Sequence, residues 1–170
     1  MMKKLTVLFS IVLMLLMLCS CGADKTAPET TEPEKATEQI ANPMVESTPE
    51  EIKRAVGFSL KVPADVKDAS YYLISGEMGQ ADYMKDGDVY TVRIKRTDSI
   101  EDVSGMYYSW TVDKDCKING CDGVIHICDT DDEKASSIVW FDEEVGVTHS
   151  ISVNNAVTEE VLVAAAEAVA

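Results

Sequence analysis

The sequence predicts an α+β domain: one twisted antiparallel sheet of about six to eight strands, with an N-terminal and a C-terminal helix packed on one face. Three observations carry this expectation. Residues 71–153 hold a succession of segments in which apolar and polar residues alternate with period two. Turn sequences punctuate them, Lys85-Asp86-Gly87-Asp88 and Asn119-Gly120. Helix starts stand at either end of the run, at Thr48 and Thr158.

The first helix opens at Ser47-Thr48-Pro49-Glu50-Glu51. Thr48 suits the cap, Pro49 the first helical position, and Glu51 lies three residues after the cap, as in a capping box. Ile52, Ala55 and Val56 form its apolar face, and Gly57 ends it. Residues 58–63 alternate like a short strand stopped by Pro63. A meander follows, with strands over 71–75, 81–84 and 89–95, the last sending Tyr90, Val92 and Ile94 to one face and Thr91, Arg93 and Lys95 to a wet one. Residues 99–103 read as a helical turn capped by Ser99 and ended by Gly105, and 107–112 as a strand. Asn119-Gly120 then joins 116–118 to 121–127 in a type I′ hairpin. Strands over 137–141 and 147–153 complete the sheet, joined by the Asp142-Glu143-Glu144 turn. In the final helix Val161, Leu162, Ala165 and Val169 form the apolar stripe.

Ahead of the domain the composition changes twice. Met1-Met2-Lys3-Lys4 is a short positive segment, and residues 5–18 are apolar and uncharged. The run is shorter than the ~20 residues of a comfortable membrane span and ends in small residues. The four residues at its end, Leu18-Cys19-Ser20-Cys21, of which Leu18 closes the run, resemble a bacterial lipobox. The resemblance implies a lipoprotein signal peptide over 1–20 and lipidation of Cys21, so that a diacylglyceryl group anchors the chain to the cell membrane facing outward. An ordinary secretory peptide and an uncleaved anchor are the alternatives. Residues 21–46 are rich in Thr, Pro and Glu and lack aromatics, the composition of a disordered tether. As a coil of ~25 residues it reaches ~25–30 Å. The extracytoplasmic domain is then expected over 47–170.

The full chain of 170 residues carries 30 acidic and 15 basic side chains, a net charge of −15. Cleavage before Cys21 removes Lys3 and Lys4 and no carboxylate, so the mature chain is more acidic still. Such a field repels nucleic acid and anionic headgroups and leaves basic proteins, basic peptides and divalent cations as partners. The hydrophobic fraction of 46% overstates the core, because the apolar signal supplies much of it.

Asn42-Pro43-Met44-Val45, Ala55-Val56-Gly57-Phe58 and Lys61-Val62-Pro63 resemble the opening of a domain found in lipoproteins and membrane-attached proteins of Gram-positive bacteria. Val139-Trp140-Phe141, Ser150-Ile151-Ser152 and Thr158-Glu159-Glu160 resemble its close. That domain is one of unknown function. The resemblance implies a surface location and an α+β fold, and no catalytic residue.

Four sets of side chains offer chemistry. His126, His149 and Cys128 would make a thiol–imidazole cluster if the two histidine strands met, able to hold zinc or activate a thiolate; structural strand histidines are the competing reading. Asp129, Asp131 and Glu133 lie at alternate positions of an acidic loop, as in a calcium-binding turn, but the glycine and distant glutamate of an EF-hand are missing. Cys116 and Cys121 share a face of the Asn119-Gly120 hairpin as diagonal neighbours, with Cys128 on the other face. They are the candidate disulfide, although the diagonal strains it, and a bulge at Asp122-Gly123 would favour Cys128 instead. Trp110, Trp140 and the tyrosines would line a ligand groove or simply fill the core. His149 and Ser150 are adjacent in a strand and point to opposite faces, so they form no catalytic pair. No cofactor motif is present. The expected function is non-enzymatic: a lipid-anchored binding or accessory domain for a protein or peptide at the cell envelope. A carrier of an apolar or lipid ligand, and a thiol- or metal-dependent enzyme, are the alternatives.

Overall fold

A computed structural model describes residues 43–170. The signal peptide over 1–20, the lipidation at Cys21 and the tether as far as residue 42 lie outside the described residues. The described chain forms a single open antiparallel sheet of eight strands: β1 (Met44–Glu46), β2 (Ala69–Ile74), β3 (Met78–Lys85), β4 (Asp88–Arg96), β5 (Val112–Ile118), β6 (Cys121–Asp129), β7 (Lys134–Asp142) and β8 (Val147–Val153). Two helices complete it, α1 (Pro49–Val56) and α2 (Glu159–Glu167). Across the sheet the order is β1-β2-β3-β4-β8-β7-β6-β5, two meanders joined where β4 pairs with β8. Among the described residues no helix is long and apolar enough to cross a membrane.

Local chemistry accounts for most boundaries. The Thr48 hydroxyl accepts from the Glu51 N–H at 3.2 Å, and the Glu51 carboxylate accepts from the Thr48 N–H at 2.9 Å, closing the capping box. Gly57 ends α1 at φ +92°, the left-handed conformation glycine adopts without a Cβ clash. Asp86 and Gly87, like Asn119 and Gly120, both take positive φ, as a type I′ hairpin requires. Thr158 occupies the cap position of α2, but its side chain makes no cap hydrogen bond. In the expected stripe of that helix Val161 faces solvent, and Ala166 is buried instead.

Met44–Glu46 pair with Ile74, Leu73 and Tyr72 as an edge strand. Two expectations are corrected. Residues 58–63 join no ladder; Leu60 and Pro63 are buried from an irregular segment that leaves α1. Residues 97–111 form neither the expected helical turn nor a strand before Val112. Side chains of the sheet hold them instead: Arg93 Nη1 donates to the carbonyls of Val103 (3.3 Å) and Ser104 (2.7 Å). The Thr97 and Thr148 hydroxyls meet at 2.6 Å.

Pairing register sorts the side chains onto two faces. One face carries Ala81, Tyr83, Tyr90, Val92, Ile94, Ile125, Ile138, Trp140 and Ile151, which form one buried cluster with Ile52 and Val56 of α1 and Leu162, Ala165 and Ala166 of α2. Each such large side chain contributes roughly 1.5–3 kcal/mol when fully buried. The other face carries Arg93, Thr148, Ser150, Ser152, Ser137, His126 and Cys128. Residues 97–111 touch it strand by strand, at Arg93, Thr148, Ala135 and Cys128, and so act as a strap from the middle of the sheet to its β5 edge.

Gly79 measures how tightly the apolar face is packed. A Cβ there would stand 2.4 Å from Ile52 Cγ2 and 3.3 Å from Ile94 Cγ1, both on fully buried side chains. Gly79→Ala is expected to destabilise the domain by about 1–3 kcal/mol in urea unfolding. At Gly120, where φ is +91° but space is open, Ala costs only the backbone strain, about 1–2 kcal/mol. An unchanged midpoint for Gly79→Ala would refute the close approach of α1 to β3.

Candidate functional site: a groove at one end of the sheet

The β5–β6 hairpin tip and the β7–β8 turn lie at the same end of the sheet, as the pairs Ile118↔Cys121 and Asp142↔Val147 require. Together with residues 58–61 after α1 and Val169 and Ala170 after α2, they enclose a groove of about 800 Å³. That volume lies within the ~300–1,000 Å³ of ordinary ligand sites. On its floor Trp140 and His149 are register partners, their rings stacked 4.9 Å apart at 9°.

Burial pushes the His149 pKa down to about 4; Asp142 opposes the shift and Lys61 adds to it. The imidazole is therefore neutral at pH 7, free to accept or donate a hydrogen bond. Lys61 Nζ donates to the Ala170 carbonyl at 2.9 Å, tying residues 58–61 to the end of α2. Lys117 is ion-paired with Asp122. The Asp142 carboxylate accepts from the N–H groups of Glu144 (3.0 Å) and Val145 (3.4 Å), which fixes the turn. Glu143 and Glu144 extend into solvent at the rim.

The expected thiol chemistry is absent from this arrangement. Cys116, Cys121 and Cys128 are free thiols, so the Cys116–Cys121 disulfide is not formed. Register explains it: Cys116 faces Gly123 and Ile118 faces Cys121, which makes the two cysteines diagonal neighbours. Diagonal residues stand ~7–8 Å apart, beyond the ~4.4–6.8 Å Cα spacing that disulfides prefer. Burial, and then the neighbouring carboxylates, push both thiols up, away from the reactive thiolate.

Nor do His126, His149 and Cys128 converge. His149 lies on the apolar face beside Trp140, whereas His126 and Cys128 lie on the strap-covered face. Cys128 donates to the Glu133 carbonyl at 3.6 Å. The calcium candidates Asp129, Asp131 and Glu133 also fail to gather. Asp129 pairs with Lys134, and Thr130 closes the turn on Glu133 backbone groups. Among the described residues no group of three metal-ligating side chains forms.

Under the strap the structure assembles a line that the sequence hid. Asp113 Oδ1 lies 3.5 Å from His126 Nε2, and Ser137 Oγ lies 3.4 Å from His126 Nδ1. Carboxylate, imidazole and hydroxyl are the parts of a nucleophilic triad. Here Ser137 is fully buried and Trp110 stacks on the imidazole at 5.2 Å, so no substrate carbonyl reaches the hydroxyl. The line links β5, β6 and β7, and the strap meets it through the Trp110 ring. Of the other aromatics, Tyr83 and Tyr90 stack inside the core at 5.6 Å, leaving Trp140 as the groove's tryptophan. No protein-family model, curated protein or solved structure matches the chain.

His149 gives the groove a pH signature. Its folded pKa of about 4 lies below the ordinary 6.5, so the folded state binds fewer protons between those values. The stability contributed by the neutral ring is complete above pH 6.5 and is lost as pH falls toward 4, by on the order of 3 kcal/mol. In His149→Phe, which keeps the stack on Trp140, the urea midpoint should fall less between pH 7 and 4 than in the wild type. Parallel pH profiles for the two proteins would rule out a buried neutral imidazole.

Proposed function

We propose that this chain is a lipid-anchored extracytoplasmic binding protein of the cell envelope, non-enzymatic, that engages a protein or peptide partner in the groove floored by Trp140 and His149. The observation that carries the reading is Leu18-Cys19-Ser20-Cys21 at the end of a charge-free apolar run. The Thr/Pro/Glu-rich tether supports it, since such a segment holds a domain clear of the bilayer. The resemblance to Gram-positive surface lipoproteins points the same way. In this reading α1 and α2 both cover the apolar face of the sheet, supported by their shared cluster with Val92, Ile138 and Ile151. The groove is the gap they leave at one end.

An apolar-ligand carrier fits the groove less well. Lys61, Lys117, Asp122, Asp142, Glu143 and Glu144 line it, and a lipid tail would desolvate those charges without pairing them.

Anchoring has a direct test. A single acyl chain of myristoyl length binds membranes with K on the order of 10⁴ M⁻¹, so firm retention needs the second chain that a diacylglyceryl group supplies. Cys21→Ser is expected to abolish labelling by an alkynyl fatty acid and to leave the chain unprocessed or released into the soluble fraction. Labelling that persists in this variant would refute the site. For the groove, a photo-crosslinking residue at Asn119 should capture a partner in intact cells, while one at Asp131, at the opposite end of the sheet, should not. Equal capture from both positions would refute the groove as the binding face.

A further inference from the structure

We propose that the groove takes a lysine- or arginine-bearing peptide segment of a partner protein, an inference that rests on the groove being the binding face. Charge supplies the first part of the case. Four carboxylates and two lysines line the groove, and both lysines are already engaged, Lys61 with the Ala170 carbonyl and Lys117 with Asp122. Among the described residues no lysine or arginine forms an ion pair with Asp142, Glu143 or Glu144. With four carboxylates against two lysines, the lining of this groove of about 800 Å³ keeps an excess of negative charge.

The floor supplies the second part. His149 is neutral at pH 7, so it does not repel a cation, and its ring nitrogen is available to a donor. Phe58, Phe141 and Val145 add accessible apolar surface to the groove's lining, of the kind that the aliphatic stem of a lysine or arginine covers while its head stays among the carboxylates. A ligand that satisfies both needs an apolar stem and a cationic end on one chain. A basic side chain has that form; a simple divalent ion does not.

The whole molecule supplies the third. With 30 acidic residues against 15 basic ones, its field accelerates the approach of a cationic partner and repels nucleic acid and anionic headgroups. Acidic groups elsewhere share that field, so the test must separate the groove from net charge.

The probe is an end-blocked, fluorescein-labelled hexalysine, titrated against the full-length chain in detergent at about 150 mM salt, where exposed charges are screened beyond ~8 Å, and followed by anisotropy. Hexaglutamate and hexaserine are the comparators, and neither should bind. Asp142→Asn, Glu143→Gln and Glu144→Gln together remove three charges at the groove, and the carboxamide that replaces the Asp142 carboxylate retains an oxygen to accept from the turn. Asp129→Asn, Asp131→Asn and Asp132→Asn together remove the same charge from the far end of the sheet. The groove variant should bind about tenfold or more weakly, and the distal variant within about twofold of wild type. On titration the ring resonances of His149 should move while those of His126, on the opposite face, stay fixed. Equal weakening by both variants, or a shift at His126, would overturn the proposal. Absent hexalysine binding alongside persistent crosslinking from Asn119 would also overturn it, while leaving the groove as the binding face.

Discussion

The pairing of β4 with β8 is the constraint on which the rest of the molecule depends. It joins two meanders that each hold together by short hairpins, and it spans seven registered pairs from Tyr90↔Val153 to Arg96↔Val147. A slip of one residue would exchange Ile151 for Ser150 or Ser152 on the apolar face. Both halves of β8 are enclosed: Val147, Ile151 and Val153 by the core, Thr148, Ser150 and Ser152 on the strap side. The sheet therefore tolerates one register only. That register sends His149 to the groove and, through β7 and β6, His126 to the other side.

Enclosing both faces of a strand whose alternate residues are hydroxylic is unfavourable, and the strap carries most of the remedy. Thr97 satisfies Thr148, and Arg93 delivers a guanidinium to two strap carbonyls while its Nε donates to Gln80 at 2.8 Å. Gln80 and Thr91 in turn donate to Asp82. This chain of side chains also fixes the path of residues 97–111. A Cβ on Gly105 would stand 2.0 Å from Arg93 Nη1, so the strap approaches that closely only with glycine there. The arrangement is incomplete at Ser150, whose hydroxyl has no partner, and at Tyr83 on the core side. Each such group costs roughly 1–3 kcal/mol relative to a satisfied one. Burial accordingly lifts the Tyr83 hydroxyl to a pKa of about 12.

Local features of this fold were legible in the sequence because their causes are local. The capping box at Thr48, the left-handed Gly57 and the Asn119-Gly120 turn each follow from a few adjacent residues. From that turn the shared face of Cys116 and Cys121 follows by counting, and the observed pairs agree. Alternation misled where it lacked a partner strand: residues 58–63 and 107–111 alternate but join no ladder. Sequence parity likewise says nothing about two strands in separate hairpins, which is why His126 and His149 looked able to meet. The groove was illegible for the same reason, since its walls come from four turns or chain ends distant in sequence. Its one visible trace was the Asp142-Glu143-Glu144 cluster, which reads equally well as a plain turn.

That cluster separates two tasks that adjoining carboxylates perform. Asp142 commits its Oδ1 to the turn's own N–H groups, so the β7–β8 connection keeps its shape whatever occupies the groove. The Glu143 and Glu144 side chains take no part in that turn and remain exposed, and substitutions there leave the backbone support in place. The far end of the sheet divides its acids differently: Asp129 is paired with Lys134, and Thr130 rather than a carboxylate closes the loop. Both ends of the sheet thus carry exposed acids outside any ion pair among the described residues, Asp131 and Asp132 at one and Glu143 and Glu144 at the other, and it is the second pair that lines the groove. In the function proposed above that placement, more than the overall excess of negative charge, gives the molecule a direction in which to bind.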